Sequence, residues 1–209
     1  MAEGTASARE QAKGDKRARI VEAAIRVFAD RGFHRATVAE VAREAEVADG
    51  TIYLYFKNKD DLLACLFEER MAELNALMTA ELAKVDGALE QARCFVKTHL
   101  RMVRERPALA QVLIVELRQS ARLIKAHKAT GFASYLDIIG GIVERGIADG
   151  SMRASVDARA IRRAIFGALD EVALSWLLGG RRFDLGKNAD QLADLFARGL
   201  AADNRTRSK

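Results

Sequence analysis

Residues 37–59 read Thr-Val-Ala-Glu-Val-Ala-Arg-Glu-Ala-Glu-Val-Ala-Asp-Gly-Thr-Ile-Tyr-Leu-Tyr-Phe-Lys-Asn-Lys, two short helices and the turn between them in consecutive residues. Thr37 with Glu40 three positions on is a capping-box start. Val38, Val41 and Ala42 then form one apolar stripe that stops at Glu46-Val47. Asp49 is expected to cap the second helix. Ile52 and Phe56 lie four apart and face inward, which leaves Thr51, Tyr53, Leu54 and Tyr55 on the other faces of a very short helix, free to touch something. The pattern is a helix-turn-helix.

Upstream, Ile20, Ala24, Val27 and Phe28 repeat at helical spacing, and Gly32 stands where a left-handed helix stop belongs. The string Asp-Gly-Thr-Ile-Tyr-Leu-Tyr-Phe-Lys-Asn-Lys, with this first helix, resembles the DNA-binding signature of the TetR family of one-component bacterial repressors. The resemblance covers residues 16–60. A plain helical hairpin could share the caps, but a purely structural adaptor leaves the Thr-Ile-Tyr-Leu-Tyr-Phe string unexplained. The resemblance implies double-stranded operator DNA as a partner. The start of the recognition helix, Ala48, Asp49 and Gly50, with Leu54, is then expected at base edges in the major groove. Thr37, Thr51, Tyr53 and Tyr55 offer hydroxyls, and Lys59 a charge, for phosphates. Packing against the first helix is the alternative for Tyr55, and a solvated charge the alternative for Lys59.

Half of the 209 residues are hydrophobic, enough for a sizeable core. One proline and frequent Ala, Leu, Arg and Glu favour helices, and alternating β-branched runs are scarce, so the expected class is all-α. The absence of an apolar run of about 18 residues, and of an apolar leader, predicts a cytoplasmic protein that does not enter the membrane. Cys65 and Cys94 lack metal or disulfide spacing and read as buried thiols.

Net charge is +5, which by itself is weak evidence for nucleic acid. Residues 1–60 hold 11 Lys and Arg against 10 Asp and Glu, so DNA binding has to rest on placed groups. The excess lies elsewhere: residues 93–128 hold nine Lys and Arg against Glu105 and Glu116, a local +7.

Residues 1–15 and 203–209 read as irregular tails. A long helix capped by Asn58 is expected to run towards residue 80, followed by helices over 87–104, from Pro107 to about Leu117, over 121–148 (one or two, closed by Asp149-Gly150), 157–178 and 187–201. This makes about nine helices in two domains. Residues 16–60 form a three-helix DNA-binding domain, and 61–203 a larger ligand-binding and dimerisation domain. The last two helices resemble the pair that TetR-type proteins pack against a symmetry mate, which implies a homodimer on a palindromic operator.

No G-x-S-x-G, H-E-x-x-H, Walker A or G-x-G-x-x-G string occurs, and His34, His99 and His127 lie far apart, so an enzyme, a metal site and a cofactor are not expected. Arg93, Lys97, Arg101 and Arg104 share one helical face, and Arg118, Arg122 and Lys125 repeat the spacing on another helix. These stripes can converge on an anion, or be two solvated faces. Glu116 to Ser120, Ile165 to Glu171 and Trp176, with Val47-Ala48-Asp49-Gly50, resemble the FadR group of TetR-type repressors, which answer long-chain acyl-CoA. That resemblance implies an effector site with Phe95, Met102, Leu113, Ile138, Phe166 and Leu169 along the acyl chain, His99 beside it, and Arg101, Arg104, Arg118 and Arg122 at the coenzyme A phosphates. The implied role is repression of fatty-acid degradation genes; the alternative is an efflux-gene repressor that senses apolar drugs. Gly140-Gly141 suggests a close helix approach or a bend.

Overall fold

The computed structural model describes residues 2–116 and 130–202, with side chains from Lys13 onward. Nine α-helices run through the described residues: α1 Ala2–Arg31, α2 Val38–Glu44, α3 Asp49–Ile52, α4 Lys59–Leu82, α5 Ala88–Glu105, α6 Pro107–Gln111, α7 Thr130–Ala148, α8 Ala158–Leu178 and α9 Leu185–Leu200. A π-helical turn, Val112–Glu116, continues α6. The all-α expectation holds; a single isolated bridge, Met152 to Ala201, is the one strand-like pairing among them. No helix among the described residues is long and apolar enough to cross a membrane.

The first helix is longer than the sequence reading allowed, because it begins at Ala2 and absorbs most of the expected tail. Its first half is rich in Ala, Glu, Arg, Gln and Lys, good helix formers, and has no proline, so that a helix anchored by buried Ile20, Val21, Ala24 and Phe28 extends backwards despite Gly4 and Gly14. Gly32 ends it with φ +76, as expected of a left-handed stop.

The chain divides into two compact units, Met1–Glu69 with Ala108–Lys128, and Arg70–Pro107 with Ala129–Lys209. The division differs from the contiguous 16–60 and 61–203 split: it falls inside α4, and the segment after Pro107 returns to the first unit. Leu109 and Val112 are buried there with Ile20, Phe28, Ile52, Phe56 and Leu62, and Leu113 packs against the same core. These apolar side chains are worth roughly 1.5–3 kcal/mol each when buried, so the segment is held where it can cover the open side of the helix-turn-helix core. Arg17 bonds Glu69 and lies over the Phe56 ring, 5.2 Å from its centroid, which ties α1 to the start of α4. Asn58 caps α4 through Oδ1, accepting from Asp61 N–H at 2.8 Å, and Asp61 Oδ2 accepts from Lys57 N–H at 2.8 Å.

In the second unit α5 packs against α7, α8 and α9. α9 turns Leu185, Ala189, Ala193, Ala197 and Leu200 inward, and alanine at every fourth position lets its backbone approach α5 closely. Asp157 and Asp184 cap α8 and α9. In α7 the close approach is not at Gly140-Gly141 but at Gly146, where a Cβ would stand 2.6 Å from Met152 and 3.0 Å from Ala88.

Candidate nucleic-acid interface and effector interior

The helix-turn-helix is built by local bonds. Thr37 Oγ1 accepts from Glu40 N–H at 3.2 Å while Glu40 Oε2 accepts from Thr37 N–H at 2.9 Å, the reciprocal capping box. The Thr37 N–H bond to Glu40 Oε2, and after it the 3.1 Å bond that the Thr37 hydroxyl donates to the same oxygen, hold the Glu40 carboxyl below its usual range. The turn after α2 is a Schellman motif: Val47 N–H reaches Ala42 O at 3.0 Å and Glu46 N–H reaches Arg43 O at 3.2 Å, with Glu46 at φ +55 where glycine is usual. The residue capping α3 is Ala48, without a side-chain bond, so Asp49 occupies the first helical position instead of the cap position expected of it. An acidic residue there still suits the helix dipole.

Ile52 and Phe56 are each 1% exposed. Their burial turns the opposite surface outward: Ala48, Asp49 and Gly50 are exposed, Tyr53 is 57% exposed and Leu54 77%. A Cβ on Gly50 would meet nothing within 4 Å, so groove edges have room to approach its backbone. Thr51 and Tyr55 are half-buried, and Tyr55 packs against the core beside Phe56. Thr37 has its hydroxyl engaged with Glu40.

Lys59 is placed differently from the expected phosphate contact. Its ammonium donates to Phe33 O at 2.7 Å, Ala36 O at 2.8 Å and His34 O at 3.2 Å, and sits 4.7 Å from the Phe33 ring centroid. An ammonium has three N–H donors. All three are used, so Lys59 clamps the loop between α1 and α2 and has none left over for DNA.

The effector candidates separate into groups. Phe95, His99 and Phe166 come together, joined by Tyr135 and Phe132. Centroids lie 5.3 Å apart for Phe95 and Tyr135, 6.2 Å for His99 and Phe166, and 5.1 Å for Phe132 and Phe166. Buried Met102 and Leu169 and half-buried Ile138 continue the same stripes one turn along α5, α8 and α7. Sequence reasoning missed Phe132 and Tyr135, although Tyr135 keeps the spacing of Ile139 and Ile142 on the buried face of α7. Within the ring cluster His99 Nδ1 and Tyr135 Oη are 2.8 Å apart, and burial pushes the imidazole down to about 4 and the phenol well above its ordinary value. Leu113 belongs instead to the first unit's core.

Arg101 and Arg104 do not join the aromatic stripe. Arg101 follows His99 by two residues, about 200° round the helix, so the basic face of α5 points away from the aromatic one. It pairs with carboxylates: Arg93 with Asp194 at 3.0 Å, Lys97 with Asp190 at 2.8 Å and Arg101 with Glu81 at 3.1 Å. Lys84 and then Arg101 hold Glu81 below the usual carboxylate range, and Arg93 does the same for Asp194. Lys97, Arg101, Arg104, Gly186 and Asp190 line a surface cleft on this side. Arg118 and Arg122 lie outside the described residues.

Comparison with known proteins bears on both units. Residues 20–66 match the model of bacterial regulatory proteins of the tetR family, and residues 67–199 match the C-terminal region of YsiA-like proteins. The chain belongs to the TetR family. Of its TetR-family relatives, the fatty acid metabolism regulator protein of Bacillus subtilis is 34% identical over 90% of this chain and 97% of its own length. Two solved structures of the family superpose with a TM-score of 0.81 each. The fatty acid degradation regulator FadR from Bacillus halodurans is 33% identical, and FadR from Bacillus subtilis, in complex with stearoyl-CoA, is 34% identical; each match covers 87% of this chain and 98% of that one.

Proposed function

We propose that the protein is a dimeric repressor that occupies a palindromic operator of fatty-acid degradation genes and leaves it when long-chain acyl-CoA binds the second unit. The observation that carries this reading is the 34% identity over 90% of the chain, a span that takes in both units, to a regulator of fatty acid metabolism. The interior supports it. Phe95 and Leu169 are 0% exposed and Met102 9%, an apolar lining suited to an acyl chain. Each buried methylene contributes about 0.8 kcal/mol, so removing four costs about 3 kcal/mol, roughly two-hundredfold in affinity. Chain length therefore dominates selection. With Arg101 and Arg104 turned to the other side of α5, Arg118 and Arg122 are the proposed partners of the coenzyme A phosphates.

On the DNA side, Ala48, Asp49, Gly50 and Leu54 are assigned to base edges, with Thr37, Thr51, Tyr53 and Tyr55 near phosphates. Leu178 is 65% exposed and Leu195 62%, with Leu192 and Phe196 half-buried beside Leu195 on α9. A second copy covering this apolar surface gives the dimer, and two-fold symmetry then sets the recognition helices about 34–36 Å apart, one turn of DNA. The protein acts in the cytoplasm, where its operator and acyl-CoA both are. Native mass spectrometry after exposure to an equimolar mixture of octanoyl-, lauroyl-, palmitoyl- and stearoyl-CoA tests the reading. The expected spectrum is a dimer carrying the two longest thioesters; a dimer that takes none of the four overturns it.

A further inference from the structure

His99 and Tyr135 are joined between α5 and α7 by the 2.8 Å contact of Nδ1 with the phenol oxygen, and Tyr135 is 3% exposed. The other ring nitrogen of His99, Nε2, is shielded from solvent and has no hydrogen-bond partner among the described residues. Buried polar atoms are nearly always paired, so an orphan of this kind calls for a reason. The imidazole stands beside Phe95, stacked with centroids 6.5 Å apart, and Phe166, edge-on at 6.2 Å, hydrocarbon rings without nitrogen or oxygen. A trapped water needs two to four polar partners, and these two rings supply none.

Counting hydrogens shows what the pair offers. The imidazole is neutral at physiological pH, since burial holds it near 4. A neutral imidazole carries one N–H and tyrosine one O–H, two hydrogens for one shared bond. If the phenol donates to Nδ1, the orphan is a single Nε2–H donor. If Nδ1–H donates to the phenol oxygen, both the phenol O–H and the Nε2 lone pair are orphaned. The first arrangement leaves fewer unmet groups and is the one an apolar site favours. Tyr135 thereby selects the tautomer and aims a proton donor into the stripe assigned above to the acyl chain.

We propose that His99, oriented by Tyr135, reads an uncharged oxygen on the effector's acyl portion, its Nε2–H donating to a thioester carbonyl or to a hydroxyl or keto oxygen on the chain. This inference rests on the acyl-CoA reading and adds a chemical selection to it. The carboxylate of a free fatty acid would have to be desolvated among phenyl rings against a neutral donor, so the same group disfavours the free acid before any coenzyme A contact is made. Tyr135 is a positioning residue, and His99 is the group that touches the ligand.

The test is calorimetric titration of the full-length wild type, His99→Phe, His99→Gln and Tyr135→Phe with three ligands. These are palmitoyl-CoA, S-hexadecyl-CoA, in which a methylene replaces the carbonyl, and β-hydroxypalmitoyl-CoA. If the thioester carbonyl is read, the wild type prefers palmitoyl-CoA over the thioether about tenfold, equivalent to 1.4 kcal/mol. If a chain oxygen is read, the two bind alike and the β-hydroxy ligand gains about tenfold over palmitoyl-CoA. Either preference is to vanish in His99→Phe, weaken in Tyr135→Phe and return in part in His99→Gln, whose amide keeps a donor. Equal ratios in the wild type and His99→Phe overturn the proposal and leave the acyl-CoA reading standing; a wild type that binds none of the three overturns both. Nitrogen-15 NMR of histidine-labelled wild type needs no variant. The chain has three histidines, and one Nε2–H resonance is expected to move with the oxygen-bearing ligand and stay with the thioether. No movement with either counts against the proposal.

Discussion

Replacing Lys59 by methionine keeps most of the side-chain stem and removes the ammonium, and two roles for that ammonium predict opposite results. In the structure it holds the carbonyls of Phe33, His34 and Ala36 and faces the Phe33 ring. The His34 carbonyl lies at an exposed position and regains water when the lysine is lost. The bonds to Phe33 and Ala36 are part-buried, and leaving their carbonyls unmet costs about 1–2 kcal/mol each, within the usual range for an orphaned acceptor. The cation–π contact adds about 0.5–1 kcal/mol. Lys59→Met is therefore expected to lower stability by about 2.5–5 kcal/mol, a large share of the 5–15 kcal/mol typical of a folded protein. Urea unfolding followed by circular dichroism reads the loss, and operator affinity as a function of salt reads the DNA side. A lysine on a phosphate contributes about one unit of salt slope per half-site. The clamp predicts reduced stability with the slope unchanged at temperatures where the variant is folded. Wild-type stability with the slope reduced by about one per half-site would refute it.

Other substitutions probe the remaining assignments. Leu54→Ala, at an exposed apolar position of the recognition segment, is expected to alter base preference at one symmetric pair of operator positions, and selection from a randomised operator shows whether the preferred sequence changes. Leu178→Glu with Leu195→Glu places charge on the exposed apolar surface of α8 and α9; sedimentation should then give a monomer with weak operator binding, whereas an intact dimer would move the interface elsewhere. His99 also predicts a pH effect. Its folded value, about 4, lies below the ordinary 6.5, so the unfolded chain takes up a proton first as pH falls, and stability drops through the window from about 6.5 to 4. Between pH 7.5 and 5 this amounts to about 2 kcal/mol, and His99→Phe should remove that part of the loss in urea midpoints measured at the two pH values.

Much of this architecture was legible because its signals are local. The Thr37–Glu40 capping box, the Gly32 stop, the Asn58 cap and the inward pair Ile52 and Phe56 each depend on residues within four positions of one another. What was not legible depends on distant partners. Within the local +7 of residues 93–128, Arg93, Lys97 and Arg101 pair with Asp194, Asp190 and Glu81, carboxylates that lie outside that stretch of sequence. Lys59 reads as a phosphate contact in sequence because its acceptors are backbone carbonyls, present at every residue and invisible in side-chain patterns. The His99–Tyr135 pair spans 36 positions, and the return of Leu109 and Val112 to the first unit's core follows no local period. Asp49 was one position off as a cap because Ala48 adopts the cap conformation without a side-chain bond.

Long-chain acyl-CoA is expected to release this TetR-family protein from its operator, and fluorescence anisotropy of a labelled operator measures release directly. Moving the DNA-bound fraction from about 99:1 to 1:99 requires the effector to bind the released form more tightly by about 5.5 kcal/mol. Palmitoyl-CoA is expected to supply it, octanoyl-CoA to act weakly, and free coenzyme A and palmitate to leave the complex intact. Release by an apolar drug with no response to palmitoyl-CoA would rule out acyl-CoA as the effector.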